Sequence, residues 1–150
     1  MSALPSIVMP HATGFDASGF SMEELFPPVD PQFEPFGGRV LFQMRRVLSK
    51  SRGGLYLPEE AKLNESWNVN VARLLRLGPL AFKSRRDGTE WAEGAWASVG
   101  DFVMVPRYEV ERQSVDPGDG LGPVIIGMCN DAQLLGKFTG DPRAVKAYIK

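Results

Sequence analysis

Glycine and proline punctuate this chain throughout, and no stretch between them carries the pattern of a long amphipathic helix. Sixteen glycines and 12 prolines are spread over 150 residues. Each proline removes a backbone donor, and each glycine raises the entropy cost of regular structure. Between these breaks lie short apolar runs. Arg39-Val40-Leu41-Phe42-Gln43-Met44-Arg45 alternates, with Val40, Phe42 and Met44 on one face. Residues 67–77 predict a longer strand with Val69, Val71, Leu75 and Leu77 in phase, broken by Gly78-Pro79. Phe102-Val103-Met104-Val105 follows a Val99-Gly100-Asp101 turn and stops at Pro106. Val124-Ile125-Ile126-Gly127-Met128-Cys129 is the last clear strand; an Asn130-Asp131 cap, a helical turn through Leu134 and an edge piece at 135–138 come after it. Residues 83–89, with Asp87-Gly88, and 115–123 carry strong loop signals. Short strands without a long amphipathic helix predict an all-β fold, barrel or sandwich. No internal repeat of fixed period is present.

Composition bounds the function classes. Hydrophobic residues make up 43% and charged residues 23%, ordinary for a soluble globular chain. A formal charge of −1 offers no global attraction for nucleic acid or an anionic membrane. No apolar run approaches the roughly 20 residues that span a bilayer, and the first residues lack the basic-then-apolar pattern of a secretory signal. Cys129 is the sole cysteine, which excludes an internal disulfide framework. The expectation is a soluble, unexported protein that binds neither nucleic acid nor membrane.

Residues 1–35 differ from the rest of the chain. They hold five acids (Asp16, Glu23, Glu24, Asp30, Glu34) and no lysine or arginine, and prolines recur at Pro5, Pro10, Pro27, Pro28, Pro31 and Pro35. One short helix is predicted, with Ser21 as N-cap and Glu24 completing a capping box. Disordered tails are poor in aromatics, yet Phe15, Phe20, Phe26 and Phe33 are spread along this segment. It reads as an acidic, Pro/Phe-rich arm anchored by those rings on its own surface or a neighbour's; the alternative is a disordered tail. Residues 36–140 form the globular part and 141–150 a C-terminal tail.

Ser49-Lys50-Ser51-Arg52-Gly53-Gly54-Leu55-Tyr56-Leu57-Pro58 joins a polar, basic, diglycine run to a short apolar triplet. Gly53 and Gly54 free the backbone, and Leu55, Tyr56 and Leu57 have no periodic apolar neighbours. Such a segment suits an extended peptide read by a partner. The other reading is a β-hairpin with a Gly-Gly turn between 39–48 and 55–57.

This stretch resembles the mobile loop of the GroES-type co-chaperonins, the chaperonin-10 family, where a Lys-Ser/Thr-x-Gly-Gly run precedes an aliphatic triplet. Further similarity runs in the same order: Pro35-Phe36-Gly37-Gly38-Arg39-Val40-Leu41, residues 71–78, Val99-Gly100-Asp101-Phe102-Val103-Met104-Val105, Val124-Ile125-Ile126, and Asn130-Asp131-Ala132-Gln133-Leu134-Leu135-Gly136-Lys137. The chain departs from the family at Gly38, where aspartate is usual, at the central Tyr56, and at residues 107–110, where a glycine-containing turn is common. It departs too in its longer segments at 80–98 and 113–123 and in its arm. Longer members of this kind resemble those of bacteriophages.

The resemblance implies a GroES-like small β-barrel assembled into a heptamer in the cytoplasm of a bacterial host. Gly53, Gly54, Leu55, Tyr56 and Leu57 would bind the chaperonin ring, with ATP held by that partner and no cofactor here. The client would be a protein such as a capsid protein. A competing reading keeps the barrel as a scaffold at the virion surface: a capsid decoration (cement) protein whose arm clamps neighbouring major capsid subunits. Catalysis is not expected. His11 is the sole histidine, Cys129 sits in an apolar strand, and no metal-ligand spacing or phosphate-binding glycine motif is present. Trp67, Trp91 and Trp96 read as core or interface fillers, since no basic stripe accompanies them.

Overall fold

Short runs separated by turns give a sheet with almost no helix. The structure, a computed structural model, describes residues 19–48, 70–107 and 110–145. A one-turn helix α1 (Met22–Leu25) precedes strands β1 (Arg39–Met44), β2 (Val71–Leu77), β3 (Phe102–Met104), β4 (Glu111–Val115), β5 (Val124–Asn130) and β6 (Gly136–Lys137). The strands form one antiparallel sheet in the order β4-β5-β1-β2-β3-β6. The fold is all-β. Among the described residues no ladder joins edge strand β4 to edge strand β6, so the sheet is open where the resemblance implies a barrel.

β1 is the centre of the sheet and is buried on both faces, not on the single face its alternation predicts. Val40, Phe42 and Met44 join the main core with Ala72, Leu74, Val103, Cys129 and Leu134, while Leu41 packs on the other face with Val124 and Ile126. β2 also departs from simple alternation. The β1–β2 register slips between Leu41 and Phe42, so Phe42 faces Leu74 while Leu41 faces Arg76. This bulge turns Leu74 into the main core and sends Leu75 to the opposite face, beside Leu41. β4 is a strand that apolar pattern does not reveal. Its Glu-Arg-Gln-Ser-Val sequence is largely exposed, and it is held by backbone pairing to β5.

The sheet's two faces are covered differently. Over the first lie the connection after β2, with Ala81, Phe82 and Ala97, and the 3-10 turn Asp131–Gln133. Trp91 and Trp96 meet edge to face at 4.9 Å and both stack near Phe82, which fits the role of fillers. Trp67 lies outside the described residues. Asp131 ties this layer together: its Oδ2 accepts the Phe82 N–H at 2.9 Å, and its own N–H donates to Gly38 O at 2.9 Å. Over the second face runs the segment from Phe26 to Glu34. Gln43, fully buried, donates Nε2 to Pro27 O at 2.8 Å, and Arg73 donates to Phe26 O and to Gln43 Oε1. Val29 packs with Leu41 and Leu75, and Arg76 faces Asp30 and Glu34 at 3.7 and 3.8 Å.

Candidate functional site

β1 and β2 are adjacent antiparallel strands, so the connection 49–69 leaves and re-enters the sheet side by side. Its two ends are fixed by backbone bonds: Arg45 N–H donates to Val71 O at 3.0 Å, and Val105 N–H to Asn70 O at 2.9 Å. Val47 and Leu48 are buried in the main core at the departing end. Gly53, Gly54, Leu55, Tyr56 and Leu57 lie outside the described residues. Over Val40–Gln43, β1 has β2 on one edge and β5 on the other, which leaves no open edge there for a further strand.

Beneath this exit the chain places two consecutive arginines, both buried at 2% exposure. Arg46 donates Nε to Glu24 O at 2.8 Å, and Nη1 and Nη2 grip Asp119 as a bidentate fork at 3.0 and 2.7 Å. Nη1 also reaches Gly122 O at 3.0 Å, while the Arg46 backbone N–H donates to Leu25 O. Arg45 points elsewhere: its Nη1 donates to Pro142 O at 2.9 Å and to Val145 O. A buried guanidinium is tolerated only when its fork is met by well-placed acceptors. Here carbonyls and one carboxylate from three distant segments supply them. The β1 exit is thereby stapled to α1, to the 116–122 turn and to the C-terminal segment.

The electrostatics follow from these contacts. The Arg46 fork, through its hydrogen bonds and then its charge, holds the Asp119 carboxyl down at about 2. Asp141 is lowered by the bidentate Arg143 beside it, whose Nη1 also donates to Phe20 O at 3.0 Å. Burial lowers Arg73 and Arg112. Cys129 is buried, and desolvation, with Asp131 nearby as a lesser cause, pushes its thiol up to about 12. A thiol so protonated is a packing group at neutral pH. Among the described residues no group of three or more His, Cys, Asp or Glu is placed to hold a metal ion; His11 lies outside them.

The four arm phenylalanines have different fates. Phe15 lies outside the described residues. Phe20 is half-buried against the main core, and Phe26 is 2% exposed within it, edge to face with Phe102 at 5.0 Å and below the Arg73 guanidinium. Phe33 remains 44% exposed and borders a cleft of about 100 Å³ on the second face, floored by Leu41, Ile126 and Met128 and rimmed by Glu111 and Gln113. The described arm residues therefore pack on their own chain. Arg45, Arg46 and Asp119 escape sequence reasoning. The available signal was an Arg-Arg pair directly after an apolar strand, but its acceptors are some 20 to 100 residues away.

No helix among the described residues is long and apolar enough to cross a membrane. No protein-family model matches the chain, and no curated protein matches it.

Proposed function

We propose that this chain is a phage-type co-chaperonin of the GroES kind, which caps a chaperonin ring through the connection 49–69 and assists folding of a client such as a capsid protein. The observation that carries this reading is the placement of that connection. It joins two adjacent strands, which a turn of two to five residues would suffice to link, and its ends are fixed by buried packing and by the arginine staples. A long Gly-Gly segment on a rigid base suits presentation of Leu55, Tyr56 and Leu57 to an apolar groove of another protein.

One such triplet binds weakly. Seven tethered copies on a ring bind together through effective concentration, and the ordering cost of each segment keeps the complex reversible. ATP belongs to the partner in this scheme. Replacing Leu55 and Leu57 by serine tests the reading: the variant keeps its fold and loses chaperonin binding. Retained binding would overturn it.

The virion-surface reading draws on the exposed rings of Phe33 and Phe36, at 44% and 80%, which suit a clamp on a neighbouring capsid subunit. Its test replaces Phe33 and Phe36 by serine and keeps the rest of the arm, because Leu25 and Phe26 belong to the core. Undiminished occupancy on capsids would count against the clamp.

A further inference from the structure

Residues 80–98 lie as one piece over the first face of the sheet. The piece starts after Gly78, whose N–H is fixed to Arg39 O at 2.8 Å, and ends before Gly100, whose N–H is fixed to Leu74 O at 2.9 Å. Between these anchors it is bonded to itself. Ser84 N–H donates to Thr89 O, Gly88 N–H to Ser84 O, Trp91 N–H to Phe82 O and Gly94 N–H to Trp91 O. Lys83 and Glu90 form a bridge, and the rings of Phe82, Trp91 and Trp96 stack on one another. Among the described residues, the hydrogen bonds that leave it for the entry to β1 and the 3-10 turn are Leu80 N–H to Gly37 O and Phe82 N–H to Asp131 Oδ2, both at 2.9 Å.

The second of these bonds is made at a strained residue. Phe82 has a φ of 61°, in the left-handed region, although its ring is fully buried in the main core. A bulky side chain is an outlier there, and such a backbone persists only where its surroundings hold it. Asp131 is what holds it. The carboxylate is buried and divides its oxygens: Oδ2 takes the Phe82 N–H, and Oδ1 takes the Ala132 N–H at 2.7 Å. Arg85 adds a looser contact. Its guanidinium lies on Gly37 and Gly38, where a Cβ would be 3.0 Å from Nη1 or Nε. Arg85 is exposed, so solvent screens its charge.

We propose that residues 80–98 are a lid that swings from the sheet as one unit, with the Asp131–Phe82 bond as its latch. Opening relieves the backbone strain at Phe82 and withdraws Ala81, Phe82 and Ala97 from the main core. Burial of those side chains keeps the closed form dominant. The open form presents apolar surface that the closed form hides. This inference does not depend on the proposed function.

Native-state amide exchange of the full chain tests it. Leu80 and Phe82 are expected to share one opening, with equal protection factors at least tenfold below those of the Gly78, Gly100 and β1 amides. Their opening should also depend less on urea, because a lid exposes less surface than global unfolding. Protection equal to that of β1 would overturn the proposal, since the piece would then leave only when the whole chain unfolds. Unequal protection of Leu80 and Phe82 would overturn it too, as fraying of separate bonds. A second measurement uses Asp131→Asn, which leaves one carboxamide oxygen for two N–H groups. The variant is expected to lower the protection of both Leu80 and Phe82 at least tenfold further, with β1 unchanged. A loss of the same size at β1 would give Asp131 a purely structural role and contradict the latch. Exchange in the parent chain keeps the test decisive even where the variant fails to fold.

Discussion

The ring of Phe42 occupies the space that a side chain at Gly127 would need: a Cβ there would lie 2.7 Å from Phe42 Cζ. The two residues are cross-strand partners on β1 and β5, so the central strand keeps its largest core side chain because its neighbour has none. Gly127→Ala is expected to cost about 1–3 kcal/mol through overpacking. Adding Phe42→Leu should recover part of that loss in a double-mutant cycle measured by urea unfolding. Additive losses would place the ring elsewhere.

Phe26 is expected to behave as a core residue although it lies in the acidic, proline-rich segment. Its ring is buried against Phe102 and Arg73, so Phe26→Ala should destabilise the protein by about 3–5 kcal/mol. Phe36→Ser, at an exposed ring, should fall within about 0.5 kcal/mol of the parent. Equal effects would contradict the placement.

Acid sensitivity should report on the Arg46 staple. Asp119 is held at about 2 in the folded chain, below the ordinary carboxyl value of 3.8. Its contribution is therefore complete above about pH 4 and is lost as pH falls towards 2. Asp119→Asn should lower the melting temperature at pH 7 and flatten the decline between pH 4 and 2. Some decline remains, because Asp87 and Asp141 are also lowered, by Thr89 and Arg143. An unchanged pH profile would mean that the fork is not formed in solution.

Cys129 should resist alkylation at pH 8 in the folded protein and react promptly once urea unfolds it, since burial raises its thiol to about 12. Rapid labelling of the native protein would contradict its burial.

Local signals in the sequence were legible where local chemistry decides the structure. The Ser21–Glu24 capping box forms, with Glu24 N–H donating to Ser21 Oγ at 3.1 Å and Ser21 N–H to Glu24 Oε1 at 2.8 Å. The runs at 39–44, 102–104 and 124–129 are strands, and residues 116–123 are a loop with Gly118, Gly120 and Gly122 at positive φ. What sequence missed depends on partners far along the chain. β4 is a polar edge strand and needs only backbone pairing, so it leaves no apolar alternation to read. The bulge at Leu75 arises from register with β1, which alternation within β2 cannot report. Arg45 and Arg46 resemble a solvated pair in sequence; their burial is set by carbonyls near residues 24, 122 and 142. The family resemblance implies a closed barrel, whereas the sheet is open among the described residues.

The most direct test of the central claim is the mass of the purified protein in solution, alone and with a bacterial chaperonin plus ATP or ADP. A co-chaperonin of this kind gives a ring near seven subunits that co-migrates with the chaperonin only when nucleotide is present. A monomer or small oligomer that ignores the chaperonin under both conditions would contradict it.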